Sequence, residues 1–187
     1  DLERYIHGIE IDTIAYDKCL VNLDTIVLKF GVQGVKWNIL NCNALSVSTF
    51  TGIINFVIGN PPYVRLHNLV NHYEDVKSFS FGKDGMTDIY LVFYELGLRM
   101  LNKNGKLCYI TPSSWLSSLA GTNMRNYIKH KNLVSLIDLG HYQPFEGAIT
   151  YTMIALFDKQ KTCDNIDYYT YSEENKDKVY VDTIPYE

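Results

Sequence analysis

The sequence predicts an α/β fold with a mixed, mostly parallel sheet, and three observations support this class. Short apolar runs of strand length alternate with longer segments in which apolar residues recur at a helical period. The first of these strands ends in acidic residues, as strands of nucleotide-binding folds do. A later apolar strand leads directly into Asn60-Pro61-Pro62-Tyr63, and open α/β sheets bind ligands at this end of their strands.

The composition indicates one globular domain. The chain has 187 residues, of which 47% are hydrophobic and 20% charged, which is enough to form a core and too apolar for a disordered chain. Its apolar runs are far shorter than the ~20 residues of a membrane span, and its first residues do not resemble a signal peptide. We therefore expect a cytoplasmic protein without a membrane partner.

Cysteine usage argues against a zinc site or a disulfide framework, and the net charge does not by itself indicate a nucleic-acid-binding protein. The cysteines are too widely spaced for a zinc site or a disulfide framework, so we predict no metal; they are Cys19, Cys42, Cys108 and Cys163. The net charge of −4 gives no extended basic stripe of the kind that nucleic-acid-binding proteins carry. Any basic surface must therefore be local or lie on another part of the protein.

The first elements are predicted to be a strand, a helix and a second strand. Residues 5–12 form a strand that ends in Glu10 and Asp12. A helix follows from about Thr13, with Asp12 as its N-cap. Its predicted apolar face consists of Ile14, Tyr16, Leu20, Val21 and Leu23. Residues 35–40 form the next strand, which leads into a turn that contains Asn43.

The central strand and the helix after it frame the most distinctive motif. Phe56, Val57 and Ile58 predict a strand that is buried on both faces, and Gly59 ends it. Residues 64–87 form a long polar segment, which we expect to order on nucleic acid. A helix follows over residues 88–101, and we expect residues 102–105 to cap its end.

The rest of the chain predicts further strands and one helix. Strands are expected over residues 106–111, 133–139 and 151–157, and a helix over residues 122–131. Alternation in residues 151–157 indicates that this strand pairs in an antiparallel manner. Residues 179–184 predict a last strand within a polar, tyrosine-rich terminus.

The loop at residues 60–63 has a distinct chemistry. Two consecutive prolines fix the backbone and supply no N–H donor. The side-chain oxygen of Asn60 and the carbonyl of Pro61 are both hydrogen-bond acceptors. Such acceptors favour the pyramidal, nucleophilic form of an amino group on an aromatic ring, and Tyr63 offers a flat face for a planar base. The alternative is a proline turn without a catalytic role.

Asn-Pro-Pro-Tyr after an apolar strand resembles the catalytic motif of S-adenosylmethionine-dependent methyltransferases that act on planar nitrogens. The chain is most similar to the N6-adenine DNA methyltransferases of bacterial restriction–modification systems, including type II enzymes fused to a nuclease, from about Ile6 to about Phe157. The resemblance implies a Rossmann-like methyltransferase fold, S-adenosylmethionine as cofactor and flipping of an adenine out of duplex DNA. It assigns catalysis to Asn60, Pro61, Pro62 and Tyr63.

The resemblance also implies roles for residues outside this motif. Glu10 would hold the cofactor ribose, and Ile11 and Phe93 would cover the two faces of the cofactor adenine. Asn43 stands where the family usually has an aspartate that contacts the adenine amino group. Phe145 would stack on the flipped adenine opposite Tyr63.

Each of these residues also has a structural explanation. Glu10 and Asp12 would simply form the start of a capped helix, and Asn43 would equally be a turn residue. Phe93, with Leu91 and Leu98, would be the buried stripe of an amphipathic helix. Phe145 would be a core aromatic of a hairpin.

The resemblance further predicts a fragment of a larger enzyme. Residues 1–160 would be a partial catalytic domain without its first strand and glycine-rich loop, and residues 161–187 would lead toward a missing target-recognition domain. We expect the parent enzyme, with a fused or separate nuclease, to be active and the isolated fragment to be inactive. The alternatives are a methyltransferase of RNA or of release-factor glutamine, and a non-catalytic module of a restriction complex.

Overall fold

A computed structural model describes residues 1–65, 73–76, 78–83, 88–129, 132–145 and 150–186. These residues form two compact units, Asp1–Ser48 and Thr49–Glu187. Both units combine helices with β-strands, so the predicted α/β class is confirmed.

The first unit contains helix α1 (Leu2–Tyr5), strand β1 (His7–Glu10), helix α2 (Thr13–Leu28) and strand β2 (Asn38–Asn41). β1 and β2 pair in parallel, with Glu10 opposite Asn41. The Asp12 side chain accepts a hydrogen bond of 2.8 Å from the Ala15 amide, so it is the N-cap of α2 as predicted.

The predicted apolar face of α2 is only partly correct. Tyr16, Leu20 and Leu23 are half-buried, but Ile14 and Val21 are 68% and 63% exposed. Ile14 and Val21 stay exposed because the two four-residue strands of this unit are too short to cover a 16-residue helix.

The second unit is built on a six-stranded sheet. Its strands are β3 (Ile54–Gly59), β4 (Leu101–Pro112), β5 (Leu133–Asp138), β6 (Thr152–Asp158), β7 (Asn165–Ser172) and β8 (Asp177–Pro185), in the spatial order β3-β4-β6-β5-β7-β8. β3, β4, β5 and β7 run in one direction, and β6 and β8 run against them. The mixed sheet and the antiparallel pairing of the strand near residues 151–157 are therefore confirmed, and two of the five strand pairs, β3–β4 and β5–β7, are parallel.

One face of this sheet carries the core. Helices α3 (Tyr73–Val76), α4 (Ile89–Met100) and α5 (Thr122–Ile128) belong to this unit. Leu91, Tyr94 and Leu98 of α4 pack in a single cluster with Leu107 of β4 and Phe157 of β6. Because these side chains are 0–4% exposed, α4 is held firmly against the sheet.

The structure corrects the prediction that β3 is buried on both faces. Phe56 and Ile58 were expected to be buried, but they are 71% and 80% exposed, whereas Val57 between them packs against the core. β3 lies at the edge of the sheet, and no described element of this unit packs over its second face. An apolar run therefore identified the strand but not the burial of both its faces.

The structure also corrects the prediction that residues 102–105 cap the end of α4. Residues 102–105 do not cap the helix but lie within β4, which begins directly at Leu101. A distant segment contacts the end of the helix instead: Lys159 Nζ donates to the Leu98 carbonyl in the last helical turn and to the carbonyl of the C-cap residue Leu101, at 3.1 and 3.0 Å.

The segment predicted as a polar loop over residues 64–87 lies partly outside the described residues. Its described part contains α3 and two deeply buried aromatic side chains, Phe79 and Phe81. The Glu95 carboxylate accepts from the Ser80 hydroxyl and the Phe81 amide, at 3.0 and 2.8 Å. This part is thus anchored to α4 rather than being a solvated loop.

The C-terminal residues belong to the sheet. β7, which the sequence did not predict, pairs in parallel with β5, and β8 confirms the strand expected near residues 179–184. The predicted domain boundary at residue 160 remains a prediction. No helix in the described part of the chain is long and apolar enough to cross a membrane.

Candidate functional site

Three loops leave the same edge of the second unit's sheet. Gly59, at the end of β3, lies opposite Tyr109 of β4, and Pro112, at the end of β4, lies opposite Thr152. Asp138, at the end of β5, is paired with Met153. Residues 60–63, 113–116 and 139–145 therefore all start at the carboxyl edge of the parallel strands, where α/β sheets bind ligands.

The Asn60-Pro61-Pro62-Tyr63 loop is partly anchored and partly open. Pro61 is buried and Tyr63 half-buried, whereas Asn60 and Pro62 are exposed. The Asn60 side chain is therefore accessible to a substrate, while its neighbours fix the loop to the sheet.

Tyr63 is held by its hydroxyl and by its ring. The hydroxyl donates to the Ile110 carbonyl of β4 at 3.2 Å. The ring meets Tyr90 of α4 edge to face, with centroids 6.4 Å apart. Burial raises the pKa of Tyr63 to about 12, so the phenol is protonated at neutral pH and cannot serve as a base there.

The start of α4 supports this loop from a second side. The Ile89 amide donates to the Val64 carbonyl at 2.9 Å, and Arg65 forms an isolated β-bridge with Asp88. The Tyr90 hydroxyl lies 3.1 Å from Ser114 Oγ, which belongs to the loop after β4. Sequence reasoning missed Tyr90, Ile110 and Ser114, because their contribution is a contact between distant segments.

Phe93 occupies an unusual position on α4. All residues of this helix are buried except Phe93 and Arg99. Phe93 is half-buried and packs against the core cluster, whereas Leu91 and Leu98 are fully buried as the amphipathic alternative predicted. A flat apolar face on this helix therefore remains partly accessible.

Phe145 lies on a bend that follows β5. It is half-buried and is absent from the buried core. The bend belongs to one of the three loops at the carboxyl edge, as does Tyr63. The loops that carry the two predicted base-stacking aromatics therefore start at the same edge of this sheet.

The first unit carries the other predicted cofactor residues. Glu10 ends β1, and its Oε1 accepts from the Asp12 amide at 2.9 Å. Ile11, next to it, is 57% exposed. Asn41 Nδ2, which sequence reasoning overlooked, donates to the Glu10 carbonyl at 2.9 Å and fixes this turn.

Asn43 begins a 3₁₀ turn over Ala44–Ser46. Its side-chain oxygen accepts a hydrogen bond of 3.0 Å from the Leu45 amide. The turn role that the sequence left open is therefore observed. Glu10 is the last residue of β1, and Ile11 and Asn43 follow the ends of the parallel strands β1 and β2, so all three lie at one edge of the first unit.

The described residues contain no group of histidine, cysteine and acidic side chains suited to a metal ion.

Comparison with known proteins identifies the family. Residues 33–145, more than half of the chain, match the family model "Eco57I restriction-modification methylase". The chain is 26% identical over 187 residues to the type II restriction enzyme and methyltransferase RM.Eco57I of Escherichia coli. That match covers 94% of this chain and 18% of the relative, so the chain spans about a fifth of the relative's length.

Solved structures show the same fold. The methyltransferase subunit of a type I restriction-modification system from Streptococcus thermophilus matches with a TM-score of 0.70 at 19% identity, over 94% of this chain and 39% of that protein. A Listeria monocytogenes protein assigned to the class I S-adenosylmethionine-dependent methyltransferases matches with a TM-score of 0.65 at 17% identity, over 88% of this chain and 48% of that protein. The fold is that of S-adenosylmethionine-dependent methyltransferases, and the chain belongs to the Eco57I restriction-modification methylase family.

Proposed function

We propose that a protein containing this chain methylates N6 of adenine in duplex DNA within a restriction–modification system. The observation that carries the proposal is the Asn60-Pro61-Pro62-Tyr63 loop, anchored at the carboxyl edge with its asparagine exposed. Membership of a restriction-modification methylase family supports methyl transfer to DNA.

The reaction follows from the acceptors on this loop. Asn60 Oδ1 and the Pro61 carbonyl accept the two hydrogens of the adenine amino group, which directs the nitrogen lone pair away from the ring. S-adenosylmethionine supplies an activated methyl group. The amino nitrogen held by Asn60 and Pro61 would be the methyl acceptor, and its surplus proton would pass to solvent. The work of the loop is positioning and electrostatic stabilisation.

Two aromatic side chains would hold the target base. Tyr63 presents a ring fixed by Ile110 and Tyr90, and Phe145 lies on a loop at the same edge. Stacking contributes ~1–3 kcal/mol per base. Since flipping costs a few kcal/mol of lost stacking in DNA, two aromatic faces would offset much of that cost.

The cofactor residues fit the chemistry of a nucleoside. Glu10 uses Oε1 on the Asp12 amide, and a carboxylate has further acceptor sites for ribose hydroxyls. Ile11 in the first unit is exposed and Phe93 in the second is half-buried, and each is an apolar side chain of the kind that an adenine face contacts. The Asn43 side-chain oxygen accepts from the Leu45 amide, and an amide oxygen is the kind of acceptor that an adenine amino group requires.

The first test measures methyl transfer with labelled S-adenosylmethionine and mixed-sequence duplex DNA. The full-length protein that contains this chain is used, and the labelled nucleoside is identified after digestion. We expect label in N6-methyladenine and a loss of at least about 100-fold in Asn60→Ala, because one acceptor at the reacting nitrogen is removed. Asn175→Ala, an exposed change in the β7–β8 turn, should retain the wild-type rate.

Other outcomes identify the alternatives. Label in RNA or in release-factor glutamine, and none in DNA, would show that the labelled molecule is the substrate instead. Absence of transfer to any of the three would favour a non-catalytic module.

A further inference from the structure

The loop at residues 139–145 is tied to β7 through Asp138. Asp138 Oδ1 accepts from the Gly140 amide at 2.8 Å, which stabilises the turn that leaves β5. Asp138 Oδ2 accepts from the Tyr168 hydroxyl of β7 at 2.9 Å. Gly140 has a φ of +54°, a conformation that favours glycine, so the loop begins with a defined turn.

A ring contact provides a second tie to the same strand. Tyr142, two residues after Gly140, packs against Tyr171 with ring centroids 4.6 Å apart and an interplanar angle of 40°. Because Asp138 pairs with Thr170, β7 presents Tyr168 and Tyr171 on either side of the position where β5 ends. β7 therefore contacts both the start and the middle of the 139–145 loop, which carries Phe145.

The hydroxyl of Tyr168 is suited to a fixed contact. Its burial, together with the hydrogen bond to Asp138 and the charge of that carboxylate, raises the pKa of Tyr168. The phenol is protonated at neutral pH and remains a donor to Asp138. Hydrogen bonds to a charged acceptor are stronger than those between neutral groups.

We propose that Tyr168 and Tyr171 are positioning residues, which hold the 139–145 loop so that Phe145 is ready to stack on the flipped adenine. The inference rests on the proposed function. It gives β7, which lies in the segment first expected to lead out of the catalytic domain, a part in base binding. A loop ordered before binding loses less entropy when the base arrives, so stacking is stronger.

The test compares Tyr168→Phe with Tyr169→Phe in the full-length protein. Each change removes one hydroxyl from neighbouring positions of β7. The Tyr168 hydroxyl contacts Asp138, whereas Tyr169 contacts Tyr180 and Lys178 through its ring. Amide hydrogen exchange reports the order of residues 139–145, and single-turnover methylation at saturating DNA reports the reaction.

We expect Tyr168→Phe to exchange faster at residues 139–145 and to methylate about tenfold more slowly, as for loss of a hydrogen bond to a charged group. Its cofactor affinity should match that of Tyr169→Phe, which separates positioning of the loop from a general loss of the folded site. Tyr171→Leu, which removes the ring contact with Tyr142, should reproduce the loss.

Two results would count against the inference in different ways. Wild-type exchange and rates in both Tyr168→Phe and Tyr171→Leu would overturn it while leaving the proposed function intact. A wild-type protein that methylates no DNA would remove the proposed function, and the base-positioning role with it.

Discussion

At the level of single residues, Tyr63 combines two contributions that substitutions can separate. Its ring offers a stacking face beside Asn60, and its hydroxyl anchors the loop to the Ile110 carbonyl. Tyr63→Phe keeps the ring, and we expect methylation within about threefold of wild type. Tyr63→Ala removes the stacking face, worth ~1–3 kcal/mol, so we expect a loss of roughly 5- to 150-fold.

Single-turnover methylation of one duplex measures both Tyr63 variants. Burial raises the pKa of Tyr63 to about 12, so wild type and Tyr63→Phe should also share one pH–rate profile below pH ~10. A Phe variant as damaged as the Ala variant would show that the hydroxyl, rather than the ring, is the essential group.

At the level of secondary-structure elements, the packing of α4 on β4 depends on Gly97. A methyl group at this position would meet the Leu107 side chain and lie 2.7 Å from Tyr109 Oη. Leu107 is fully buried and Tyr109 is 5% exposed, so neither can move aside easily. Close packing, rather than helix propensity, therefore determines the residue at this position.

We expect Gly97→Ala to destabilise the protein by ~1–3 kcal/mol, although alanine is the better helix former by about 1 kcal/mol. Denaturant unfolding measures the change in free energy. The matched control is Asn22→Ala on the exposed side of α2, where propensity acts without a packing penalty. Increased stability in Gly97→Ala would mean that α4 and β4 are farther apart than described.

Elements also show what a sequence pattern can and cannot predict. The Asp12 cap and the positions of α2 and α4 were predicted, because capping and helical period depend on neighbouring residues. The cap of α4 was not, since Lys159 reaches its last carbonyls from 58 residues beyond Leu101. β7 was not predicted either, because its tyrosines contact a loop from a distant part of the chain.

At the level of the whole molecule, buried tyrosines predict alkaline unfolding of the second unit. Burial raises the pKa of Tyr63, Tyr90 and Tyr186 to about 12, and raises that of Tyr94 and Tyr109 further. In the unfolded chain these groups ionise near pH ~10. The stability that they contribute is therefore complete below pH 10 and is lost as the pH rises toward the folded-state values.

The free energy of unfolding, measured by denaturant between pH 7 and pH 12, should fall steeply above pH ~10. Burial also raises the pKa of the Cys108 thiol, so the decline begins slightly lower, near its ordinary value of 9.0. Tyr109→Phe should flatten the decline, because the variant has one buried phenol fewer. A flat profile to pH 12 would contradict the burial of these rings.

The sequence by itself determined the local features: the stiff Asn60-Pro61-Pro62-Tyr63 loop, the strand before it, the capped helix α2 and the family resemblance. These depend on residues close in the chain, whose backbone preferences and spacing are visible in one sequence. Only the tertiary structure decided that Phe56 and Ile58 are exposed, that Phe93 is only half-buried on α4, and that the loops carrying Tyr63 and Phe145 start at one sheet edge. The physical reason is that exposure and proximity depend on which distant segments pack together, and short-range patterns do not encode that pairing.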